Sequence, residues 1–417
     1  MRYAVLFTVA FTAAPALGQT FIPLDDLPGG GTLSRGRSVS PDGVVVGVSA
    51  GPSGDEAVRW GDGDPNPFPL SDLPGGAFSS EALAAAIGGQ AIFGWGTNSA
   101  GNAEAFRWTP AVGLRALGFL PSGGYSSRAY ACSADGVIAC GDTLFQPQGS
   151  PPPLPVTQAF RWTDAAGMEP LGFLPGGAQF LSTARAMSFD GSVIVGWATD
   201  SSFGNRPFRW TQATGMVDIT GGQFTGTARG VSPDGRYIVG SISEISSAYL
   251  YDSNDPPGTY TLLPWLPGSA SSVAADVSRA ASFILGVSGG RACLWTTQPQ
   301  GGYTVQDLNA FAPPGWNLTV AISMSDDGTR LTGHGTNPQG QTQGWLILMP
   351  SRLCPVDFNG DSDFGTDQDI EAFFRCLAGE CCPTCFLGGS DINGDGDYGT
   401  VQDIESFFRC LAGACWC

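Results

Sequence analysis

Two acidic loops near the C-terminus hold the side chains best placed for chemistry. Asp357, Asn359, Asp361 and Asp363 stand on alternate positions around Gly360, followed by Gly365, Thr366 and Asp369. The pattern returns as Asp391, Asn393, Asp395 and Asp397 around Gly394, followed by Gly399, Thr400 and Asp403. Hard oxygen donors at alternate positions can wrap a hard cation, and the glycine permits the sharp turn. The expected cofactor is Ca²⁺, two ions in all. A carboxylate at the end of each loop closes the shell. Val401 stands in the second copy where the first has Asp367, so closure falls to Asp369 and Asp403. Asp363 and Asp397 ligate through the side chain or the backbone carbonyl.

Each loop leads into a predicted helix. Thr366 and Thr400 can cap it, with Asp369 and Asp403 three residues on, so these two acids have a competing role as cap partners. Ile370, Phe373, Phe374 and Leu377 form one apolar stripe, and Ile404, Phe407, Phe408 and Leu411 repeat it. Gly379 and Gly413 end the helices. The core of such a module is small, so metal and disulfides must supplement it. Eight of the eleven cysteines lie here: Cys354, Cys376, Cys381, Cys382, Cys385, Cys410, Cys415 and Cys417. An even number in a small exported module implies disulfides, with the pairing left open. Cys382 and Cys385 also have the spacing of a zinc site.

Elsewhere the chain offers little for catalysis. His334 is its one histidine, and it reads as a side chain of a repeat unit. No G-x-S-x-G elbow is present. Two carboxylates acting on a glycosidic bond form the alternative reading, a glycoside hydrolase. Most other Asp residues, however, recur from unit to unit and belong to turns. Arg107, Arg161 and Arg209 recur between aromatic residues. They pack or pair between units, or else form a ring able to hold an anion. Cys132 and Cys140 are two core residues or a cross-strand disulfide. Cys293 reads as a buried thiol.

Residues 21 to 350 repeat with a period of about 40–55 residues, in the range of propeller blades. A unit opens with Leu-Pro-Gly-Gly at Leu27, Leu73 and Leu174, varied at Leu120 and Leu266. Arg-Ala-x-Ser-x-Asp-Gly follows, as at Arg185–Gly191, then an apolar run ending in Gly, as at Val193–Gly196. The unit closes with Ala-Phe-Arg-Trp-Thr, as at Ala105–Thr109 and Ala159–Thr163. Trp60, Trp108, Trp162, Trp210, Tyr251, Trp295 and Trp345 mark seven units. Asp-Gly at Asp42, Asp135, Asp190, Asp234 and Asp327 predicts type I′ hairpins. Four short strands then fill each unit, the size of a propeller blade. The seventh unit lacks a fourth strand, and Phe21–Leu27 matches that segment, so the N-terminal strand is expected to complete it. The expected fold is mainly β: a seven-bladed β-propeller of four-stranded blades, plus a small α-helical calcium-binding module.

Composition agrees. The 417 residues include 61 Gly and 31 Pro, and only 13% are charged, a balance that favours short strands and tight turns. All 19 basic residues are Arg against 37 acids, a net of −18. That argues against nucleic acid and anionic membranes as partners. Cys354 to Cys417 carry nine Asp and three Glu against two Arg, which marks a boundary near Pro350. The chain thus divides into a signal peptide (1–18), a propeller (19–350) and the double calcium-loop domain (354–417). Arg2, the apolar run Ala4–Ala14 and small residues at Ala16 and Gly18 predict cleavage before Gln19 and export. No apolar run is long enough to span a bilayer.

The units resemble the HAF family of extracellular bacterial repeats over about 330 residues. Ser232-Pro233-Asp234-Gly235-Arg236 is also similar to the hairpins of TolB-type and WD-type propellers. The HAF resemblance implies an exported repeat domain with no established activity. The tail, with Phe-Phe-Arg-Cys-Leu-Ala-Gly in both copies, resembles a GC-type dockerin over residues 354 to 417. A dockerin implies a cohesin-like partner or another cell-surface receptor. The expected function is a non-enzymatic binding or structural platform, secreted or attached to the cell surface. Its channel is the expected place for a carbohydrate or a small anion. A surface-layer role would instead predict polymerisation.

Overall fold

The computed structural model describes residues 19–121, 123–145, 155–177, 181–298, 301–349, 366–378, 404–405 and 407–408. The chain divides into two compact units, Met1–Leu348 and Met349–Cys417. In the first, seven four-stranded antiparallel sheets follow one another as the blades of a propeller. Their innermost strands are Ser34–Val39, Gly75–Ala85, Gly124–Cys132, Ser182–Met187, Gly226–Val231, Ser272–Val277 and Asn317–Met324. Each contacts the next, and the last contacts the first. The strand Thr20–Leu24 pairs antiparallel with Thr342–Leu348, with Phe21 opposite Ile347 and Leu24 opposite Gly344. The N-terminal strand therefore completes the seventh blade.

The core lies between the sheets. The repeated aromatics of the third strands are buried, from Trp60, Trp295 and Trp345 at 0% exposure to Trp210 at 8%. The leucines of the Leu-Pro-Gly-Gly connectors are buried with them. A serine of the innermost strand stitches neighbouring blades. Ser80, Ser127, Ser182 and Ser272 accept hydrogen bonds from the backbone N–H of Ala57, Ala105, Ala159 and Ala248 in the preceding blade. Ser34 does the same for Gly344 and donates to the Leu24 carbonyl, across the point of closure. Gly226 replaces this serine in the fifth blade.

The hairpin turns differ from the type I′ expectation. The Gly43 N–H bonds the Ser40 carbonyl, and the Ser40 N–H bonds the Val44 carbonyl. Only the glycine has positive φ: Gly43, Gly136, Gly191, Gly235 and Gly328 lie between 67° and 93°. This is a three-residue loop, a type I turn followed by a left-handed residue. The Asp carboxylate fills a local need there. Asp42, Asp135, Asp190, Asp234 and Asp327 each accept from the serine two residues earlier.

All seven innermost strands carry a register shift at one equivalent place, between Gly36/Ser38, Ala82/Ala84, Ala129/Ala131, Ala184/Ala186, Ala228/Gly230, Ala274/Asp276 and Ala321/Ser323. Such a bulge inserts one residue and re-aims side chains. Facing it, Gly47, Gly94, Gly141, Gly196, Gly240, Gly286 and Gly333 lie so close to an innermost-strand carbonyl that a Cβ would overlap it. This is why each apolar run ends in glycine.

In the second unit the helix Asp367–Leu377 begins at Thr366. Residues 404, 405, 407 and 408 are also helical. Phe373 stacks on Phe407 with ring centroids 4.0 Å apart, and Ile370, Leu377 and Ile404 pack against them, whereas Phe374 and Phe408, also expected in the apolar stripes, are exposed. Among the described residues no helix is long and apolar enough to cross a membrane.

Candidate binding site in the propeller channel

The bulge aims one residue per blade at the axis. Arg37, Leu83, Tyr130, Arg185, Arg229, Ala275 and Ile322, in blade order, all line a central cavity of about 780 Å³. Glu81 and Arg128, two residues earlier in their strands, line it as well. The wall is uneven. On blades one and two Arg37 pairs with Glu81 at 2.5 Å, and the Trp95 indole N–H donates to the other Glu81 oxygen. Arg128 of blade three lies over Trp95 of blade two, 5.3 Å from the ring centroid, and Arg185 of blade four lies over Tyr130 of blade three and Trp197 of its own blade, at 4.2 and 5.4 Å. Among the described residues Arg128, Arg185 and Arg229 have no ion-pair partner. Burial and the Arg185 charge both pull the Arg229 guanidinium below its usual pKa. Blades six and seven face these cations with Val273, Ala275, Val287, Val320 and Ile322.

The carboxylates at the cavity are already engaged. Asp276 accepts from the backbone N–H of Val277 and, in the next blade, of Met324, at 2.8 and 2.9 Å. Burial raises it to about 6. Asp326 pairs with Arg279. Behind the cations, burial also raises Asp142 to about 6, while contacts from Thr183 and Tyr130 and the charges of Arg185 and Arg128 act the other way.

His334 lies on the second strand of the seventh blade, outside the residues lining the cavity. Its Nδ1 is buried without a partner. Burial, with the charges of Arg37 and Arg35, lowers its pKa to about 4. The third-strand arginines lie between blades rather than around the channel: Arg107 pairs with Asp164 of the next blade, and Arg59 lies over Trp108. Arg161 pairs with Glu169 within its own blade, at 3.9 Å. The channel cations are a different set, from the first strand. The Arg position of Arg-Ala-x-Ser-x-Asp-Gly marks Arg37, Arg185 and Arg229, while Arg128 stands two residues before it; the bulge hides the facing because it breaks the alternation on which facing is read. Cys132 and Cys140 are free thiols, not a disulfide. The bulge sets Cys132 opposite Ala139 and Cys140 opposite Ala131, so the two are diagonal rather than paired. Cys293 is a free buried thiol.

In the second unit Asp369 is buried, and its Oδ2 accepts from the Thr366 N–H and hydroxyl, both at 2.9 Å. The cap role is therefore filled. Cys376 is buried and disulfide-bonded. Asp357, Asn359, Asp361, Asp363, Asp391, Asn393, Asp395, Asp397 and Asp403 lie outside the described residues, as do the other seven tail cysteines and the predicted signal peptide.

No protein-family description matches the chain, and no curated relative does. Solved structures do resemble it. A puromycin hydrolase is 16% identical with a TM-score of 0.51, covering 77% of this chain and 55% of its own. YCF48 bound to D1 peptide is 15% identical with a TM-score of 0.48, covering 82% of this chain and 98% of its own. TolB from Acinetobacter baumannii is 14% identical with a TM-score of 0.42, covering 64% of this chain and 63% of its own. The chain thus spans less than two thirds of the hydrolase and of TolB. At these identities the likeness extends to the fold alone.

Proposed function

We propose that this chain is an exported, non-enzymatic binding propeller. In this reading its channel takes a small anion or a carbohydrate, and its tail attaches it to a cohesin-like or other cell-surface receptor. The observation that carries the first part is the convergence on one cavity of Arg128, Arg185 and Arg229, which have no ion-pair partner among the described residues. Arg128 and Arg229 are exposed to the channel and Arg185 is half-buried; like charges gathered in one cleft repel, and a bound anion relieves them. The engagement of Glu81, Asp276 and Asp326 by protein partners supports binding over hydrolysis. The HAF-like repeats and the predicted leader support export.

The tail is read as a dockerin-like module stapled by disulfides. Asp357, Asn359, Asp361, Asp363 and Asp369 would hold one Ca²⁺, and Asp391, Asn393, Asp395, Asp397 and Asp403 the other. The all-oxygen donor set fits that ion. Asp369 stands buried at the loop–helix junction, where a closing carboxylate is needed. The ion would supply charge neutralisation and hold each loop against its helix. The stacked Phe373 and Phe407 support a paired-helix module.

Two measurements on the full chain test this reading. Calcium titration calorimetry is expected to show two sites, both lost in the Asp357→Ala/Asp391→Ala variant; unchanged heat in that variant removes the assignment. Incubation with soluble polysaccharides is expected to release no reducing ends. Release that disappears in Glu81→Gln would move the assignment to a glycoside hydrolase.

A further inference from the structure

The channel's charge is separated from its apolar surface, and this narrows the ligand. The reasoning rests on the binding reading above. Going round the bulge layer, blades three, four and five present Tyr130, Arg185 and Arg229, with Arg128 beside them, and blades six and seven present Ala275 and Ile322. Val273, Val287 and Val320 widen the apolar arc. Arg37, the remaining channel cation, is neutralised by Glu81. A small symmetric anion would leave the valine and isoleucine arc facing water. A neutral sugar would leave the guanidiniums unpaired, and the bulge residues of blades six and seven, Ala275 and Ile322, offer it no polar side chain.

We infer that the channel binds a small amphipathic anion, a carboxylate or phosphate head on an apolar body. The head lies against Arg185 and Arg229, and the body covers Ala275, Ile322 and Val320. Aromatic rings lie within cation–π range of Arg128 and Arg185, which helps position the guanidiniums that would donate to an oxyanion. A cavity of about 780 Å³ lies in the range that encloses such a ligand. Repulsion between Arg185 and Arg229 is relieved on binding, which favours an anionic head over a neutral one.

The test uses octanoate on the full chain at neutral pH, with octanol, octylammonium, acetate, inorganic phosphate and a neutral oligosaccharide beside it. Octanoate is expected to bind, with octanol and octylammonium roughly tenfold or more weaker, the effect of losing one charge-assisted contact. Arg185→Gln/Arg229→Gln is expected to weaken octanoate by a similar factor or more. Ala275→Phe, which fills the apolar arc, is expected to weaken octanoate and spare phosphate. Circular dichroism confirms that each variant is folded. Should Arg185→Gln/Arg229→Gln not fold, Ala275→Phe and the ligand series decide. Acetate or phosphate matching octanoate overturns the inference and leaves the channel an anion site. Preference for the oligosaccharide also overturns it, while keeping the binding reading. Silence from every probe overturns both.

Discussion

His334 is held neutral by its surroundings. Its ring lies on a strand opposite Val320 and Gly344, with the charges of Arg37 and Arg35 nearby and no partner for Nδ1. The folded pKa is lowered from 6.5 to about 4. Below pH 6.5 the unfolded chain takes up a proton that the folded chain refuses until about pH 4. The imidazole therefore costs stability progressively as pH falls between those values, and nothing above them. His334→Gln is expected to unfold at higher urea than the parent near pH 4, with the difference vanishing at pH 7 and growing by at most about 1.4 kcal/mol per pH unit. An equal difference at both pH values would show that the ring's shape, not its protonation, matters. Asp142 and Asp276 act in the opposite sense: raised to about 6, each favours the folded state as pH falls through that value. Their presence in parent and variant alike is why the difference between the two is the quantity to measure. A lone histidine on a repeat position was readable as a blade side chain. The burial of Asp142 and Asp276 was not, because it depends on how neighbouring blades close over them.

At the level of the strand, the repeated glycine and the bulge form one device. Gly196 faces the bulge at Arg185, and a Cβ there would meet the Thr183 carbonyl oxygen and the Ala184 backbone. Neither is the end of a flexible side chain, so relief requires the bulge to flatten. Gly196→Ala is expected to destabilise the propeller by about 1–3 kcal/mol or more, and to weaken ligand binding by turning Arg185 from the axis. Chemical denaturation and octanoate affinity, measured together, check this. Full stability with unaltered binding would separate glycine from bulge. The glycine was plain in the repeat, and so were strand number and order. The turn type was misread because Asp-Gly suits more than one hairpin, and the choice rests on which residue takes positive φ. The first-strand cations of the channel were not legible for a related reason: a single inserted residue reverses which side chains face the channel.

Across the whole molecule, the propeller is a ring whose last blade borrows its fourth strand from the start of the chain. Closure was legible because the seventh unit ended one strand short and Phe21–Leu27 matched the missing segment. What the sequence left out is the tie that seals it: Ser34 of the first blade bonds Gly344 and Leu24 of the seventh, and Leu24 is fully buried between them. Without Thr20–Leu24, the strand Thr342–Leu348 becomes an open edge, a template for another chain. Leu24→Ala keeps the strand but empties its buried position, and is expected to cost about 2–5 kcal/mol. Deleting residues 20–24 is expected to do something different in kind. The variant should self-associate, seen as higher-mass species in size-exclusion chromatography with light scattering, because the exposed edge retains its pairing groups. A synthetic peptide spanning residues 19–27 should restore the monomer by occupying that edge. A deletion variant that stays monomeric without the peptide would mean that the ring is sealed by side-chain packing alone, and that the borrowed strand contributes little to closure.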